Sequence, residues 1–396
     1  MSREPAFDSR SGAVTDPARD LREALGNVKR GLRLALFPLL LVACAPKLPP
    51  AYVQTRDAAE TAYAKGHFSE AAERWLRAAD SADSARDRSD ARYRAAAAYE
   101  RAGLVDDARK WYTLLANGKS DRAPRATFAL ADLRLKSGDT TGGLADLEAA
   151  IRKYPTSGIA ALALRRYFAA LADQGGDRAV LDYIQRVEPE LGQSELIEQL
   201  LYERARRLEA LGSTADAATA YVIVADRFPY PYGAYWDDAL LRGADCEQRL
   251  GKSEAAIALL ERMLHARETS HMSGSYERPH FADAAYRLAE LYRDARHDFA
   301  AARRAFRGVF IDYPTSTLRD DALWQEALLA RSASEQQACE PLLLLVGQLP
   351  ESRYAPCAHE MCSKIQPVAR RSCADYIERD LREPHSVAKP ESDGSD

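Results

Sequence analysis

The chain has 396 residues, 46% of them hydrophobic and 29% charged, a balance that fits a protein with a sizeable core and excludes a mostly disordered one. Its 55 Lys+Arg against 59 Asp+Glu leave a formal charge of −4, which excludes the basic excess expected of a nucleic-acid binder. At roughly 150 residues per domain the length alone suggests two or three domains.

In chain order, the first feature is at residues 29–44. Lys29 and Arg30 precede the apolar run Leu32–Ala43, interrupted only by Arg33, and the run stops at Cys44. It is shorter than the roughly 20 residues a membrane-spanning helix needs, and its basic-then-apolar layout is that of an export signal. Leu41-Val42-Ala43-Cys44 resembles the lipobox of bacterial lipoproteins. That resemblance implies that residues 1–43 are removed, that Cys44 carries the lipid, and that the acyl chains hold the protein on a membrane. Ala45 after the cysteine implies sorting to the inner leaflet of the outer membrane, facing the periplasm. The polar residues before Lys29 are foreign to such a signal, and the expected translation start is Val28. Residues 1–43 hold seven basic and five acidic side chains, so the remainder carries −6. Residues 44–51, with Pro46, Pro49 and Pro50, form an extended tether.

From residue 52 to residue 350 a pattern repeats. A turn glycine is followed five residues later by a small residue and four further on by a large apolar one. Successive copies give Gly66, Ala71 and Trp75; Gly103, Ala108 and Tyr112; Gly138, Gly143 and Leu147; Gly212, Ala217 and Tyr221; Gly251, Ala256 and Leu260. A seventh has His297 in the glycine's place, then Ala302 and Phe306, and an eighth has Ala338 and Leu342. The fourth copy, at Gly175 and Val180, rests on spacing. Pro155, Pro229, Pro314 and Pro350 each fall 12 residues after the small residue of their copy. Between copies the chain is rich in Ala, Arg, Glu and Leu, with apolar residues at spacings of three and four, which predicts helices throughout. Glycine permits the tight reversal between two helices, and proline forbids continuation of the second.

The repeat averages about 38 residues, close to the 34 of a tetratricopeptide repeat, and the chain resembles that family over most of its length. The resemblance implies an all-α fold: a right-handed α-solenoid of about eight helix pairs, followed by a cysteine-rich helical cap over residues 351–382 and a disordered tail from 383. Together, the lipobox, the short tether and repeat ends such as Tyr154-Pro155 and Tyr313-Pro314 look like the bacterial envelope lipoproteins related to BamD of the β-barrel assembly machinery. CpoB, linked to the Tol–Pal system, shares the repeat ends. The function implied is a lipid-anchored scaffold for envelope proteins, in outer-membrane assembly or in division; the alternative is a glycan-binding or cell-wall-modifying protein on the same platform.

In this family partners bind the concave face built by the first helix of each pair. By spacing from the turn glycines that face carries Tyr63, Tyr93, Glu100, Arg101, Phe128, Tyr202, Arg206, Asp245 and Arg249. Aromatic and arginine side chains are favoured at interfaces, although the same residues also serve as packing between repeats. A second candidate is the loop Phe228–Trp236, where Tyr230, Tyr232, Tyr235 and Trp236 crowd around two prolines, either as a peptide-docking knob or as a plug over the core. Envelope proteins or peptides are therefore the expected partners, with the membrane reached through Cys44.

Of the remaining cysteines, Cys339, Cys357, Cys362 and Cys373 lie in the last quarter and predict disulfides in an exported chain. Symmetry about Pro367 favours Cys362 with Cys373, which leaves Cys339 with Cys357; Cys339 with Cys362 competes, and Cys246 is expected as a buried free thiol. Cys357, His359 and Cys362 are metal-ligand types, but at a spacing that matches no common zinc pattern. His359-Glu360 lacks the second histidine of a zincin because Ser363 stands there. There is no phosphate-binding glycine loop and no nucleophile elbow, so neither a cofactor nor an enzymatic activity is expected. His265, His271 and His280 surround an insertion between the sixth and seventh copies.

Overall fold

A computed structural model describes residues 48–266, 280–367 and 372–382. The segments at 1–43 and 383–396, Cys44 and His271 lie outside the described residues. The helices are α1 (Pro50–Ala64), α2 (Phe68–Asp80), α3 (Ala85–Arg101), α4 (Val105–Ala116), α5 (Ala123–Lys136), α6 (Thr140–Lys153), α7 (Ala160–Leu191), α8 (Ile197–Ala210) and α9 (Thr214–Arg227). They continue as α10 (Trp236–Arg249), α11 (Ser253–His265), α12 (His280–Asp294), α13 (Phe299–Asp312), α14 (Arg319–Arg331), α15 (Glu335–Gln348) and α16 (Asp375–Arg382), with a 3₁₀ turn at Ala355–Glu360. Among the described residues there is no strand and no helix long and apolar enough to cross a membrane. The chain divides into two compact units, Met1–Leu133 and Arg134–Asp396, and the division falls within α5.

The elements are helical hairpins, and the backbone shows why each one turns. Gly66, Gly103, Gly138, Gly212 and Gly251 have φ between 74° and 92°, the left-handed region where a Cβ is penalised. In four of these turns the amide after the glycine reaches back to a carbonyl five residues earlier, as from Leu104 to Tyr99 and from Ser213 to Leu208, closing the helix end. His297 occupies the same place with φ 53°. The fourth copy is a hairpin too. Hydrogen bonding runs through α7, but Gly175 and Gly176 break its dihedrals at φ −142° and +68°. The left-handed residue there is Gly176, one later than the sequence spacing placed it.

The four prolines end their helices through the residue before them. Tyr154, Phe228, Tyr313 and Leu349 lie at φ between −124° and −131° with ψ between 56° and 74°, outside the helical well that a following proline disfavours. At the starts, Ser84, Asp139, Asp298 and Ser334 accept the amide three residues on, which satisfies a free donor of the first turn.

The small residues lie at the contact between the helices. Ala71, Ala108, Ala217, Ala256, Ala302 and Ala338 have no exposed surface, and at Gly143 a Cβ would meet the Leu135 side chain at 2.6 Å. The large partners Trp75, Tyr112, Leu147, Tyr221, Leu260, Phe306 and Leu342 are buried beside them. In unit 1, Tyr52 packs with Trp75 and the alanines of α1 to α3. In unit 2, one core runs from Trp236 through Phe281 and Phe306 to Tyr313, and a second fills the C-terminal cap around Trp324, Leu342 and Tyr354.

The cap is held by two disulfides, Cys339–Cys362 and Cys357–Cys373. This corrects the expected Cys362–Cys373 pair and the Cys339–Cys357 pair it left, and it bears out the competing Cys339–Cys362. Residues 355–360 form a 3₁₀ turn packed against α15 and not the first arm of a hairpin about Pro367, so Cys362 meets the start of α15. Both Cys357 and Cys362 are thereby oxidised, which leaves no thiolate pair for a metal. Cys246 is the free, buried cysteine expected. The cap docks through polar contacts as well: Tyr354 donates to Asp321 at 2.6 Å, Ser352 to Asp320 at 2.8 Å, and the Tyr354 ring stacks on Trp324 at 4.7 Å.

Two substitutions test the turn and contact rules by urea denaturation. His297→Gly relieves a left-handed β-carbon and should raise stability by about 0.5–1 kcal/mol after the entropy of the new glycine. Ala256→Leu overfills a closed contact and should lower it by about 1–3 kcal/mol.

Candidate functional site

The first helices of the hairpins were expected to carry the binding face, and each unit answers separately. In unit 1, Tyr63 is exposed at the end of α1 and meets Phe68 edge-on at 5.1 Å. Tyr93 is half-buried on α3, 5.5 Å from the Tyr112 ring and beneath the Arg122 guanidinium, and burial raises its pKa. Glu100 accepts the Tyr112 hydroxyl at 3.1 Å, and Arg101 is exposed beside it. Arg94 lies over Trp75 and pairs with Asp90 at 2.9 Å, while Arg122 reaches the other oxygen of Asp90. Phe128 is only 3% exposed, so it is a core ring and is removed from the surface.

In unit 2, two expected surface aromatics are also core. Tyr202 is 7% exposed, its ring stacked on Tyr235 at 4.3 Å and its hydroxyl donated to Asp238. Trp236 is 2% exposed and packs with Tyr230 and Phe281. The loop Phe228–Trp236 thus resolves into parts. Tyr230 plugs the core, Tyr235 is held by stacking and by donating its amide to Glu198 at 2.9 Å, and Tyr232 stands 91% exposed at the tip. The amides of Tyr232 and Gly233 both reach the Pro229 carbonyl, and a Cβ on Gly233 would lie 2.0 Å from the Phe228 oxygen, so the tip accepts only glycine there.

Further along α8 and α10 the expected Asp245 and Arg249 come together with residues that spacing did not flag. Arg249 donates to Glu209 at 2.7 Å and to the Cys246 sulfur at 3.0 Å, and Arg242 reaches Glu209 at 3.4 Å. Asp245 accepts from Arg287 of α12 at 3.3 Å. Arg206 is exposed and pairs within its own helix, with Glu203 at 3.1 Å. At the other end of the face, Asp238 takes Arg242 at 3.0 Å and lies 3.3 Å from the His280 ring. Glu209, Arg242 and Arg287 were missed because each bond joins residues 33 to 42 apart, one repeat on. Opposite charges recurring at the repeat length were the signal that could have found them.

Glu209 is the best-connected carboxylate of this face. Burial alone would raise its pKa, but the Tyr221 hydroxyl at 2.7 Å and the two guanidiniums outweigh that and hold it below the ordinary carboxylate value. The same hydroxyl, buried against a carboxylate, has its own pKa raised. Burial raises the Cys246 thiol, so it stays protonated and unreactive near neutrality.

Residues 283–316 match the family model described as Tetratricopeptide repeat. No curated protein matches the chain. Among solved structures, the C-terminal part of a TPR repeat-containing protein from Cytophaga hutchinsonii is 14% identical, covering 67% of this chain and 98% of its own, with a TM-score of 0.42. PilW, described as a widely conserved type IV pilus biogenesis factor, is 19% identical over 59% of this chain and 96% of its own, at a TM-score of 0.36. PilF of Pseudomonas aeruginosa is 17% identical over 59% of this chain and 94% of its own, also at 0.36. Residues 283–316 are a tetratricopeptide repeat, and the turn, small contact residue and large partner of that repeat recur in the other hairpins.

A carboxylate whose folded pKa is depressed stabilises the fold above its unfolded value and loses that effect as pH falls through the folded one. Glu209→Gln should therefore cost about 1 kcal/mol at pH 7, allowing for solvent screening. The gap between variant and parent urea midpoints should shrink as pH is lowered through the carboxylate range, checked by parallel denaturation at the two ends.

Proposed function

Starting from a chain built of tetratricopeptide repeats, which serve as scaffolds for protein–protein contact, we propose that it is a lipid-anchored adaptor of the bacterial cell envelope. It binds envelope proteins or extended peptides through the first-helix faces of its repeats and the Tyr232 tip, and is held by acyl chains on Cys44 at the inner leaflet of the outer membrane. Outer-membrane assembly and envelope or division coordination are the processes such an adaptor would serve.

The observation that carries the envelope reading is the pair of disulfides in the cap. Structural disulfides form and persist in oxidising compartments, and in a reducing cytosol the cap would be left with four thiols in its core. The Leu41–Cys44 lipobox supports the same address, with a short tether before α1. The binding reading is supported by the side chains displayed: a rigidly held exposed tyrosine and half-exposed arginines, types that dominate interface energetics.

The test is expression of the full chain in a bacterium with two membranes, with metabolic fatty-acid labelling and fractionation. The chain should carry label and sediment with the outer membrane, and Cys44→Ala should be unlabelled and soluble. A photoreactive side chain in place of Tyr232 should crosslink to a discrete envelope protein. Cys44→Ala with unchanged membrane retention, or a parent chain found reduced in the cytosol, would contradict the proposal.

A further inference from the structure

An open pocket of about 480 Å³ lies on unit 2 where the first helices of three successive hairpins, α8, α10 and α12, converge. Its size falls within the range of roughly 300–1,000 Å³ typical of small-molecule sites. It is lined by Glu209, Asp245, Gln248, Arg249 and Arg287. Two carboxylates and two guanidiniums leave it without net charge, so its preference depends on which valences are already filled.

Glu209 is saturated. One of its oxygens takes the Tyr221 hydroxyl and Arg242, and the other takes Arg249. Asp245 is not: one oxygen accepts Arg287 at the long distance of 3.3 Å, and the other meets no donor among the described residues. Arg249 uses only Nη2, toward Glu209 and Cys246, and Arg287 uses Nη1 for Glu290 and Nη2 for Asp245. Each guanidinium therefore keeps N–H groups free for an acceptor.

The empty positions are thus one carboxylate oxygen of Asp245 and, beside it, guanidinium N–H groups of Arg249 and Arg287. A ligand with a carboxylate alone would set it against Asp245 as well as the arginines, and one with an ammonium alone would face Arg249 and Arg287. We infer that the pocket binds a free amino-acid head group, its α-ammonium on Asp245 and its α-carboxylate on Arg249 and Arg287. The open side lets the rest of the ligand leave toward solvent. The head group can then belong to a free amino acid or to a peptide side chain that ends in one. This reading is independent of the anchor at Cys44 and of any protein partner.

Calorimetric titration of the purified full chain tests it. The probes are L-leucine, N-acetyl-L-leucine, L-leucinamide, and a tripeptide containing diaminopimelate with its distal head group free. Saturable binding is expected for leucine, for the tripeptide, or for both. Removing either charge, in the acetyl or amide analogue, should weaken leucine or its tripeptide counterpart by about tenfold or more. Tighter binding of the tripeptide assigns the peptide source, and tighter binding of leucine assigns the free amino acid. Asp245→Asn should weaken binding by a similar factor with unchanged thermal unfolding. If that variant does not fold, the charge-blocked analogues on the parent chain still decide. No saturable heat for either zwitterion up to about 10 mM, blocked analogues that bind as well, or a folded Asp245→Asn with unchanged affinity would each overturn the inference.

Discussion

Two antiparallel helices cannot cover their own apolar stripes, and the whole structure follows from meeting that requirement with neighbours. Each hairpin presents a large side chain such as Tyr112, Tyr221 or Phe306 beside a residue with a methyl group or none. The small residue lets the two helices approach until the ring is closed on all sides. Burying such a ring is worth about 1.5–3 kcal/mol, and a Cβ too many at Gly143 or a leucine at Ala256 would hold the surfaces apart. The array must also end somewhere. At the C-terminus the exposed face of the last hairpin is covered by a short 3₁₀ turn and one short helix, elements too small to stay in place by burial, and the two disulfides fix them there.

The packing also decides where polar groups go. A tyrosine filling the gap between hairpins carries a hydroxyl into the core, and that hydroxyl needs an acceptor. Tyr112 finds Glu100 and Tyr221 finds Glu209, each 12 residues back at the end of the preceding helix. The acceptor is therefore an anion on the first-helix face, and it attracts arginines. In unit 2, Glu209 draws Arg242 and Arg249, and one helix on, where the large residue is Leu260 and brings no hydroxyl, Asp245 pairs with Arg287 alone among the described residues. The electrostatics of the candidate site are thus a consequence of how the core is filled. Where a carboxylate is more deeply buried the sign changes: Glu326 sits under a two-pronged contact from Arg307, and its burial pushes the pKa up.

Sequence alone exposed what is set locally. A left-handed turn residue, a proline after the second helix and an alanine at fixed offset each act within one hairpin, so their spacing is visible in a single chain. The His297 substitution kept its register because Phe299, Ala302 and Phe306 stayed in place around it. Properties set between hairpins were hidden. Whether Phe128 or Tyr202 faces water depends on the rotation of the helix against its neighbours, and the bonds of Glu209 join residues a whole repeat apart. The cysteines show the same division. That they pair was readable from clustering, but the pairing followed from a 3₁₀ turn that periodicity does not announce. In the aromatic loop, composition marked the segment, and only packing separated the plugging Tyr230 from the displayed Tyr232.

The central claim is that hairpins stabilise one another by mutual burial, while the C-terminal cap is fixed by its cross-links. Hydrogen exchange followed by mass spectrometry, with and without a reductant, addresses both halves in one measurement. The slowest exchange is predicted in the helices bearing Ala217, Ala256 and Ala302, and reduction should speed exchange in residues 351–382 while leaving those helices protected. Fast exchange through these helices, or a loss of protection spread evenly along the chain on reduction, would contradict the account.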